Sequence, residues 1–410
     1  MKQIHKNIRF LPGAVLLIGF LAMMASSCNL FSSDDSKIPE VTNVRYLNPD
    51  SVGVSELTQV QPGDMFVLQG KYLDHVKEVY FNGVQASFNP VYVTNTDMII
   101  SVPDMNFLEL DPDSDDMNTI KLVSDAGEFI YEFPIVPPPA SIFYLSREFG
   151  VEGKVIRIFG ESLLLIQDVL FPGNVSAASF EVSPNADWID AEIPAGVQDG
   201  GVIQIETLNE IVQGPSSSPF NDRTGMLCDF DEVNTYDWGA IIDDDPDRFP
   251  GATGAYAYME TGGIGRGNWA WWEDTRSVNF FSGEWISEDQ LNDLPQHWAL
   301  KFDVYIKEPI EYGTFLIRPG DDWDFIARYE PWEEAGGPYT TGGWITVTLP
   351  LDEFKSDNGN GRAVSSITSL YHPDEQMGVM FVNDDDFEGS MVEELKVAFD
   401  NFRIINIAND

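Results

Sequence analysis

Side chains that can take part in a reaction are scattered along this sequence and form no catalytic motif. The chain has 4 His, 2 Cys and 67 acidic residues, but no Gly-x-Ser-x-Gly, His-Glu-x-x-His or phosphate-binding glycine sequence. Cys228 stands between apolar neighbours, far from any histidine, and is predicted to be a core residue. Because a hydrolase needs only one close pair of carboxylates, the abundance of acids leaves acid–base hydrolysis open as a minor alternative.

Tryptophan is concentrated in one part of the chain. All but one of the 10 tryptophans lie between residues 238 and 344. In the segment 265–274, strand alternation predicts Trp269 and Trp271 on one face and Trp272 on the other. Three neighbouring tryptophans exposed together would form an aggregation-prone patch, so one of these faces is expected to be core. Trp238, Trp298 and Trp344 are predicted to be structural.

The charge balance excludes one class of partner. The chain carries 23 Lys and Arg against 67 Asp and Glu, a formal net charge of −44. Such a surface repels phosphate backbones, so we expect no nucleic-acid binding. The sequence also implies no required cofactor.

The first 27 residues have the pattern of an export signal. A basic start is followed by the apolar segment 14–24 and by small residues before Cys28. That segment is shorter than the ~20 residues needed to span a bilayer. The run Leu-Ala-Met-Met-Ala-Ser-Ser-Cys resembles a bacterial lipobox, which implies that Cys28 is lipidated; a plain secretory signal is the alternative. Residues 28–37 resemble an acidic surface-export tether.

An internal repeat organises the first half of the chain. Residues 63–83 align without a gap to residues 153–173, with three glycines, a leucine, a valine and a phenylalanine identical. Short β-prone runs separated by Gly, Asn and Pro predict two small β-sandwiches at 38–136 and 137–219. Their strand, Gly-x-x-Leu, strand order resembles immunoglobulin-like IPT/TIG domains. Because no cluster of reactive residues was recognised in either copy, both are interpreted as spacers.

A Gly-Pro-Ser-Ser-Ser-Pro hinge precedes a third domain, predicted at 220–410. Alternation of apolar and polar residues at 298–306 puts Leu300, Phe302, Val304 and Ile306 on one face of a strand, and no long helical period competes. The fold class is therefore predicted as all-β: tandem immunoglobulin-like sandwiches followed by a larger β-sandwich resembling carbohydrate-binding modules.

The third domain carries a specific resemblance. Residues 340–354, Thr-Thr-Gly-Gly-Trp-Ile-Thr-Val-Thr-Leu-Pro-Leu-Asp-Glu-Phe, and the terminal Phe-Asp-Asn-Phe-Arg-Ile are similar to the C-terminal domain of surface glycan-binding proteins. This resemblance implies a non-catalytic lipoprotein on the outer membrane that captures polysaccharide beside a TonB-dependent importer and a companion glycan-binding lipoprotein. It favours xyloglucan or another β-glucan as ligand, with xylan also open. A surface adhesin that binds another protein fits the same layout.

A sugar ring is held by a flat aromatic side chain together with polar groups that bind its hydroxyls. Under this resemblance the expected ligand-binding residues are Trp323, Trp332, Trp271, Trp269, Trp285, Tyr339, Arg318 and Asp322. A structural calcium ion is a further expectation, with Asp229, Asp231 and Asp400 as weak candidate ligands.

Overall fold

The computed structural model describes residues 37–48 and 56–408. The predicted signal peptide, Cys28 and the tether up to residue 36 lie outside the described residues. Within the described residues, no helix combines the length and apolar character needed to cross a membrane. Two compact units, Met1–Pro138 and Pro139–Asp410, make up the chain.

The first unit contains a sandwich of two antiparallel sheets. With the strands numbered along the chain, one sheet has the order 1-2-5 and the other the order 4-3-6-7. Phe66 and Leu68 from one sheet pack against Val79 and Phe81 from the other. The strands are β1 (Glu40–Tyr46), β2 (Met65–Lys71), β3 (Val76–Phe81), β4 (Val84–Ala86), β5 (Asp97–Ser101), β6 (Thr119–Ser124) and β7 (Gly127–Glu132).

The second unit begins with a sandwich of the same kind, and its strands are β8 (Ser141–Leu145), β9 (Val155–Glu161), β10 (Ile166–Phe171), β11 (Val175–Ser176), β12 (Ser179–Val182), β13 (Trp188–Glu192), β14 (Gln204–Thr207) and β15 (Ile211–Gln213). The sheet orders are β11-β10-β14-β15 and β12-β13-β9-β8.

The repeated glycines have the same structural role in both copies. Gly70 in β2 and Gly160 in β9 face the first strand of their copy so closely that a Cβ atom would lie 1.8 and 2.1 Å from a backbone carbonyl oxygen. Gly63 and Gly153 both have positive φ, 85° and 77°, a conformation that favours glycine. The repeat therefore marks one position where the strands leave no room for a side chain and another where the backbone conformation favours glycine.

The remainder of the second unit is a larger sandwich, and its strands are β16 (Met226–Cys228), β17 (Tyr236–Gly239), β18 (Ile241–Asp243), β19 (Tyr256–Ile264), β20 (Ser277–Phe281), β21 (Trp298–Ile306), β22 (Thr314–Arg318), β23 (Ala327–Tyr329), β24 (Ile345–Pro350), β25 (Gln376–Val382) and β26 (Val392–Asn406). One sheet has the order β18-β19-β26-β21-β24, with β16 also paired to β26, and the other the order β17-β20-β25-β22-β23.

Helical structure in this sandwich is limited to short segments, namely α1 (Pro331–Ala335) and the 3₁₀ turns Pro295–His297, Leu351–Glu353 and Ile367–Ser369; the first unit has the turns Leu73–His75 and Pro90–Tyr92. The predicted all-β fold class is confirmed.

The core of the large sandwich lies between its two sheets. Phe302 of β21 stacks on Phe402 of β26 with ring centroids 5.5 Å apart, and Phe315 of β22 packs edge-on to Phe399 at 5.5 Å. Cys228 is buried in the same core, as predicted, and burial raises the pKa of its thiol. This core lies on the inner face of the sheet β17-β20-β25-β22-β23, which we call the five-stranded sheet. The side chains on the outer face of this sheet point away from the core.

Candidate functional site

The outer face of the five-stranded sheet carries a row of four residues in register. Trp238 of β17 pairs with Asn279 of β20. Gly378 of β25 pairs with Asn279 on one side and with Arg318 of β22 on the other. Residues paired across antiparallel strands share a face, and the neighbouring Phe280 points into the core. A polar strip therefore crosses the sheet at right angles to its strands.

The polar strip contains two buried groups with unused hydrogen-bonding capacity. Among the described residues, neither Asn279 Oδ1 nor Arg318 Nε has a hydrogen-bond partner. The other nitrogens of Arg318 contact Asp321, through its carbonyl oxygen at 3.2 Å and its carboxylate at 3.3 Å. Burial lowers the pKa of the Arg318 guanidinium. Because an unpaired buried polar group is costly, both groups favour a ligand that supplies hydroxyls.

Gly378 is buried between these two groups, where the packing leaves no room for a side chain. A Cβ atom at this position would lie 2.7 Å from Asn279 Oδ1 and 3.0 Å from the carbonyl oxygen of Val278. Glycine is therefore the residue that allows close approach to the backbone here.

Three tryptophan rings form a continuous aromatic surface over this face. The ring centroids of Trp238 and Trp271 are 5.9 Å apart with an interplanar angle of 34°, and those of Trp271 and Trp323 are 5.9 Å apart with an angle of 40°. Trp272 meets Trp271 edge-on at 5.7 Å and is 61% exposed. Trp269 is exposed beside them. We call Trp238, Trp271 and Trp323 the tryptophan row.

The tryptophan row rests on a small apolar patch of the same sheet. Leu316 of β22 and Val382 of β25 form this patch with Ile326, and Trp271 and Trp323 pack against it. The rings are thus partly supported by the sheet and partly open to solvent. This arrangement suits a stacking surface, because part of each ring's hydrophobic area is already covered.

Buried Arg276 holds the loop that presents Trp271. Its guanidinium donates to the carbonyl oxygens of Ala270 at 2.5 Å and Glu273 at 3.2 Å, and burial lowers its pKa. The start of the loop is fixed where Asn383 N donates to the carbonyl oxygen of Asn268 at 3.0 Å. These bonds give the loop a defined path over the sheet.

The Trp323 loop is fixed by acidic side chains. The amide of Asp321 donates to Glu375 Oε2 at 2.7 Å. Asp322 is exposed; its Oδ1 accepts from the amide of Asp324 at 3.2 Å, and its Oδ2 lies 3.7 Å from His372 Nε2. The predicted residues Trp323, Arg318 and Asp322 therefore meet at one end of the strip, and Trp269 and Trp271 approach it from the other loop.

Two predicted platform residues are core residues instead. Trp332 is 3% exposed; the short helix α1 turns its ring inward to lie 6.0 Å from Phe315, while its acidic neighbours face solvent. Trp285 is 8% exposed, and its ring packs edge-on to Tyr371 at 5.4 Å. Both predictions of a binding role are wrong, because the structure uses these rings to close the core.

Tyr339 is separated from the tryptophan row. Its backbone pairs with Ile310, its ring packs partly against the core, and it lines a crevice beside the second immunoglobulin-like sandwich.

Two predictions about the aromatic segments also need correction. Trp238, predicted to be structural, is 38% exposed, and its Nε1 donates to Gln376 Oε1 at 2.9 Å; a register shift in β17 turns it outward. Trp269 and Trp271 lie in a loop between β19 and β20 rather than on a strand. Trp298 and Trp344, at 7% exposed each, are buried as predicted.

Each of the three expected calcium ligands is bonded to a group of the protein. Asp229 Oδ2 pairs with Arg223, Asp231 accepts from the amide of Ala255 at 3.0 Å, and Asp400 Oδ2 accepts from Thr253 at 3.1 Å. Among the described residues, no group of three or more His, Cys, Asp or Glu side chains is placed to hold a metal ion. Calcium binding stays a prediction.

Asp400 is the carboxyl group with the clearest perturbation. Burial and the nearby Asp303 carboxylate raise its pKa well above the usual range. A raised pKa is expected of a general acid, but Asp303 is fully buried and paired with Arg147 of the neighbouring immunoglobulin-like sandwich at 2.9 Å. The pair therefore belongs to a buried domain junction and does not border the tryptophan row.

Comparison with known proteins supports the assignment of this domain. Residues 220–406 match the family model described as the surface glycan-binding protein B xyloglucan binding domain. The predicted resemblance to surface glycan-binding proteins is confirmed. The matched family is described by xyloglucan binding, with which the prediction that the chain is not an enzyme agrees.

Three relatives extend the likeness beyond this domain. An IPT/TIG domain-containing protein of Bacteroides ovatus is 22% identical, covering 99% of this chain and 100% of the relative. The crystal structure of surface glycan-binding protein B from Prevotella bryantii matches with a TM-score of 0.68 at 20% identity, covering 90% of this chain and 98% of that one. The corresponding protein from a complex xyloglucan utilization locus in Bacteroides uniformis gives 0.53 at 17%, covering 90% and 99%. These structures share the fold of this chain.

Proposed function

We propose that this chain is a cell-surface lipoprotein that binds an extended β-glucan, with xyloglucan favoured, without chemical conversion of the ligand. The observation that carries the proposal is the tryptophan row above the strip that contains Asn279 and Arg318. A chain of pyranose rings has apolar faces that stack on aromatic side chains and hydroxyls that need polar partners, and this arrangement supplies both.

Contact among the three rings of the tryptophan row favours an extended ligand. The Trp271 ring lies 5.9 Å from that of Trp238 and 5.9 Å from that of Trp323, centroid to centroid, and is tilted against both, so a sugar chain that crosses these rings contacts more than one of them. β-1,4-linked glucans are flat and extended and suit such a line. The domain likeness to a xyloglucan-binding domain supports the same choice.

The charge of the protein supports a neutral ligand. With a net charge of −44, the protein repels polyanions at long range, including acidic polysaccharides. Neutral glucans and xylans are unaffected by this repulsion. Individual sites are expected to be weak, because hydroxyl contacts exchange with water at small net gain, and multivalent contact with a polymer compensates.

The same proposal places the protein in an uptake system. The lipobox ending at Cys28 supports attachment to the outer membrane through lipid, and the acidic segment that follows supports exposure at the cell surface. The bound polysaccharide would pass to a TonB-dependent importer with the help of a companion glycan-binding lipoprotein.

The test is affinity electrophoresis of the full chain in gels that contain xyloglucan, mixed-linkage glucan, xylan, mannan or starch. We expect xyloglucan or another β-glucan to retard the protein, and Trp271→Ala or Trp323→Ala to remove most of the retardation, since each loses one stacking surface worth about 1 kcal/mol or more. Tyr92→Ala, an exposed aromatic of the first unit, is the matched control and should migrate like the parent.

Two results would contradict the proposal. Free migration in all five gels would favour an adhesin whose ligand is a protein. Release of reducing ends from the retarding polysaccharide over several hours would show that the chain is a hydrolase.

A further inference from the structure

A second aromatic row crosses the immunoglobulin-like sandwich of the second unit. Phe159 of β9 pairs with Tyr144 of β8 on one side and with Trp188 of β13 on the other. In the next register position Arg157 pairs with Asp190. These side chains share the outer face of the sheet, because the alternate residues Ile156 and Ile158 of the same strand are buried in the core, as are Ile189 and Ala191 of β13.

Polar groups lie directly beside these rings. Arg157 Nε and Nη2 both donate to the Asp190 carboxylate at 2.7 Å, and the guanidinium lies 3.8 Å from the centroid of the Trp188 ring. The bond to Asp190 raises the pKa of Arg157. Tyr144 stacks on Phe159 at 4.7 Å with an angle of 27° and remains 51% exposed. Tyr144 therefore offers an aromatic surface next to a fixed ion pair.

The large sandwich supplies the opposite wall of a crevice. The crevice has a volume of about 550 Å³ and is lined by Tyr144, Phe159, Arg157 and Asp190 on one side and by Tyr339 and Thr341 on the other. Its volume is within the roughly 300–1,000 Å³ typical of ligand sites, which occur preferentially where domains meet. We call this space the junction crevice.

The two walls of the junction crevice are held together by direct bonds. The amide of Thr346 donates to the carbonyl oxygen of Ser146 at 2.9 Å, and the amide of Glu148 donates to Thr346 Oγ1 at 2.9 Å. Arg147 pairs with Asp303 in the buried contact described above. The crevice therefore keeps its shape without a ligand, which lowers the cost of binding.

We infer that the junction crevice is a second glycan-binding site that holds a further stretch of the same neutral β-glucan chain. Tyr144 and Tyr339 provide flat apolar surfaces, and Arg157 and Asp190 provide donors and acceptors for hydroxyls. The Thr341 hydroxyl lines the crevice but is already bonded to the backbone of Ile306 and Gly343. The strongly acidic surface of the protein disfavours an anionic occupant. This inference rests on the proposed function, since it takes its ligand from there.

A second site gives the immunoglobulin-like sandwich a role other than spacing. When a polysaccharide occupies one site, its neighbouring segments are held close to the other site and bind there more readily. The overall affinity for the polymer therefore exceeds the affinity of either site alone. Short oligosaccharides occupy one site at a time and gain nothing from the linkage.

The experiment is saturation-transfer difference NMR on the full chain with a xylogluco-oligosaccharide, a method that detects weak binding. In Trp271→Ala/Trp323→Ala we expect residual saturation transfer to the sugar from the junction crevice. Addition of Tyr144→Ala should abolish it, whereas Tyr144→Phe should retain it. Phe143→Ala is the matched control, because Phe143 is equally exposed at 50% but does not line the crevice.

Affinity for polymer gives an independent measure. In otherwise unmodified protein, Tyr144→Ala should weaken retention by xyloglucan polymer at least about tenfold, through lost linkage between sites, and should change the affinity of the tryptophan row for oligosaccharide less than about twofold.

The possible outcomes separate the two proposals. If the parent protein binds the oligosaccharide but Trp271→Ala/Trp323→Ala shows no transfer, the junction crevice does not bind glycan and the proposed function stands. If saturation transfer to the sugar remains after Tyr144→Ala is added to Trp271→Ala/Trp323→Ala, the second contact lies elsewhere and the inference is wrong. If the parent protein shows no transfer and no retention, both proposals fail.

Discussion

Arg318 shows how a single buried side chain can prepare a surface for hydroxyl recognition. Its guanidinium is planar and carries donors in a fixed geometry. Asp321 uses two of its nitrogens, whereas Nε has no partner among the described residues. A sugar hydroxyl placed against the polar strip can accept this remaining hydrogen bond, and the neighbouring Asn279 Oδ1 can accept one from the next hydroxyl.

We predict that Arg318→Met weakens β-glucan binding about tenfold or more, since a hydrogen bond to a charged group contributes about 1.5–3 kcal/mol. Arg318→Lys should recover only part of the loss, because a lysine ammonium lacks the planar arrangement of donors. Isothermal titration of the full chain with a β-glucan oligosaccharide provides the measurement.

Lys77→Met is the control for the Arg318 variants, because Lys77 is an exposed cation of the first unit. Unchanged affinity in Arg318→Met would show that Arg318 does not contact the ligand. Equal losses in Arg318→Met and Lys77→Met would indicate a general charge effect instead.

At the scale of elements, the repeat allowed much of the fold to be predicted. Paired glycines such as Gly70 and Gly160 mark the same close approach of strands in both copies. Alternation in β21 correctly placed Leu300 and Phe302 on the core face. These features are local, because they depend on the period of a strand and on the space available to one residue.

The candidate site was less predictable because its residues are joined by strand pairing. Trp238 and Arg318 share a face through two intervening strands, and no local pattern reveals such a register. Trp332 was assigned wrongly because acidic neighbours suggested a loop, whereas a five-residue helix turned its ring into the core. Strand pairing likewise brings Trp188 and Tyr144 to either side of Phe159, although all three are distant in sequence.

The glycine that the repeat identifies in β9 provides an element-scale prediction. Gly160→Ala should destabilise the second immunoglobulin-like sandwich by about 3 kcal/mol, since its Cβ would lie 2.1 Å from the carbonyl oxygen of Ser141 and the strands must separate. Hydrogen–deuterium exchange should show faster exchange in 140–219, the region that contains the substitution.

Gly337→Ala is the matched control, because its Cβ would meet nothing within 4 Å. Exchange in 140–219 should then equal that of the parent protein. Unchanged exchange in Gly160→Ala would show that β8 and β9 tolerate a wider spacing than the structure has.

At the scale of the whole second unit, Glu148 links the two sandwiches through buried charge. Its carboxylate accepts hydrogen bonds from Lys301 at 2.5 Å, from Arg403, and from Ser218 at 2.7 Å. Glu148, Lys301 and Arg403 are at most 2% exposed. Burial lowers the pKa of Arg403 to about 10.

A buried carboxylate between two cations has an asymmetric effect on stability. The intact cluster contributes little net stability, because desolvation of the charges offsets their attraction, but removal of one partner leaves buried charge without compensation. The junction therefore enforces one arrangement of the two sandwiches within this unit. If the junction crevice binds glycan, this arrangement also sets the position of its walls relative to the tryptophan row.

We predict that Glu148→Ala lowers the free energy of unfolding of the second unit by about 3–5 kcal/mol, measured by urea denaturation followed through tryptophan fluorescence. Glu152→Ala, which removes an exposed carboxylate of the same sandwich, should have little effect. A full chain that is unaffected by Glu148→Ala would mean that the two sandwiches are not coupled through this cluster.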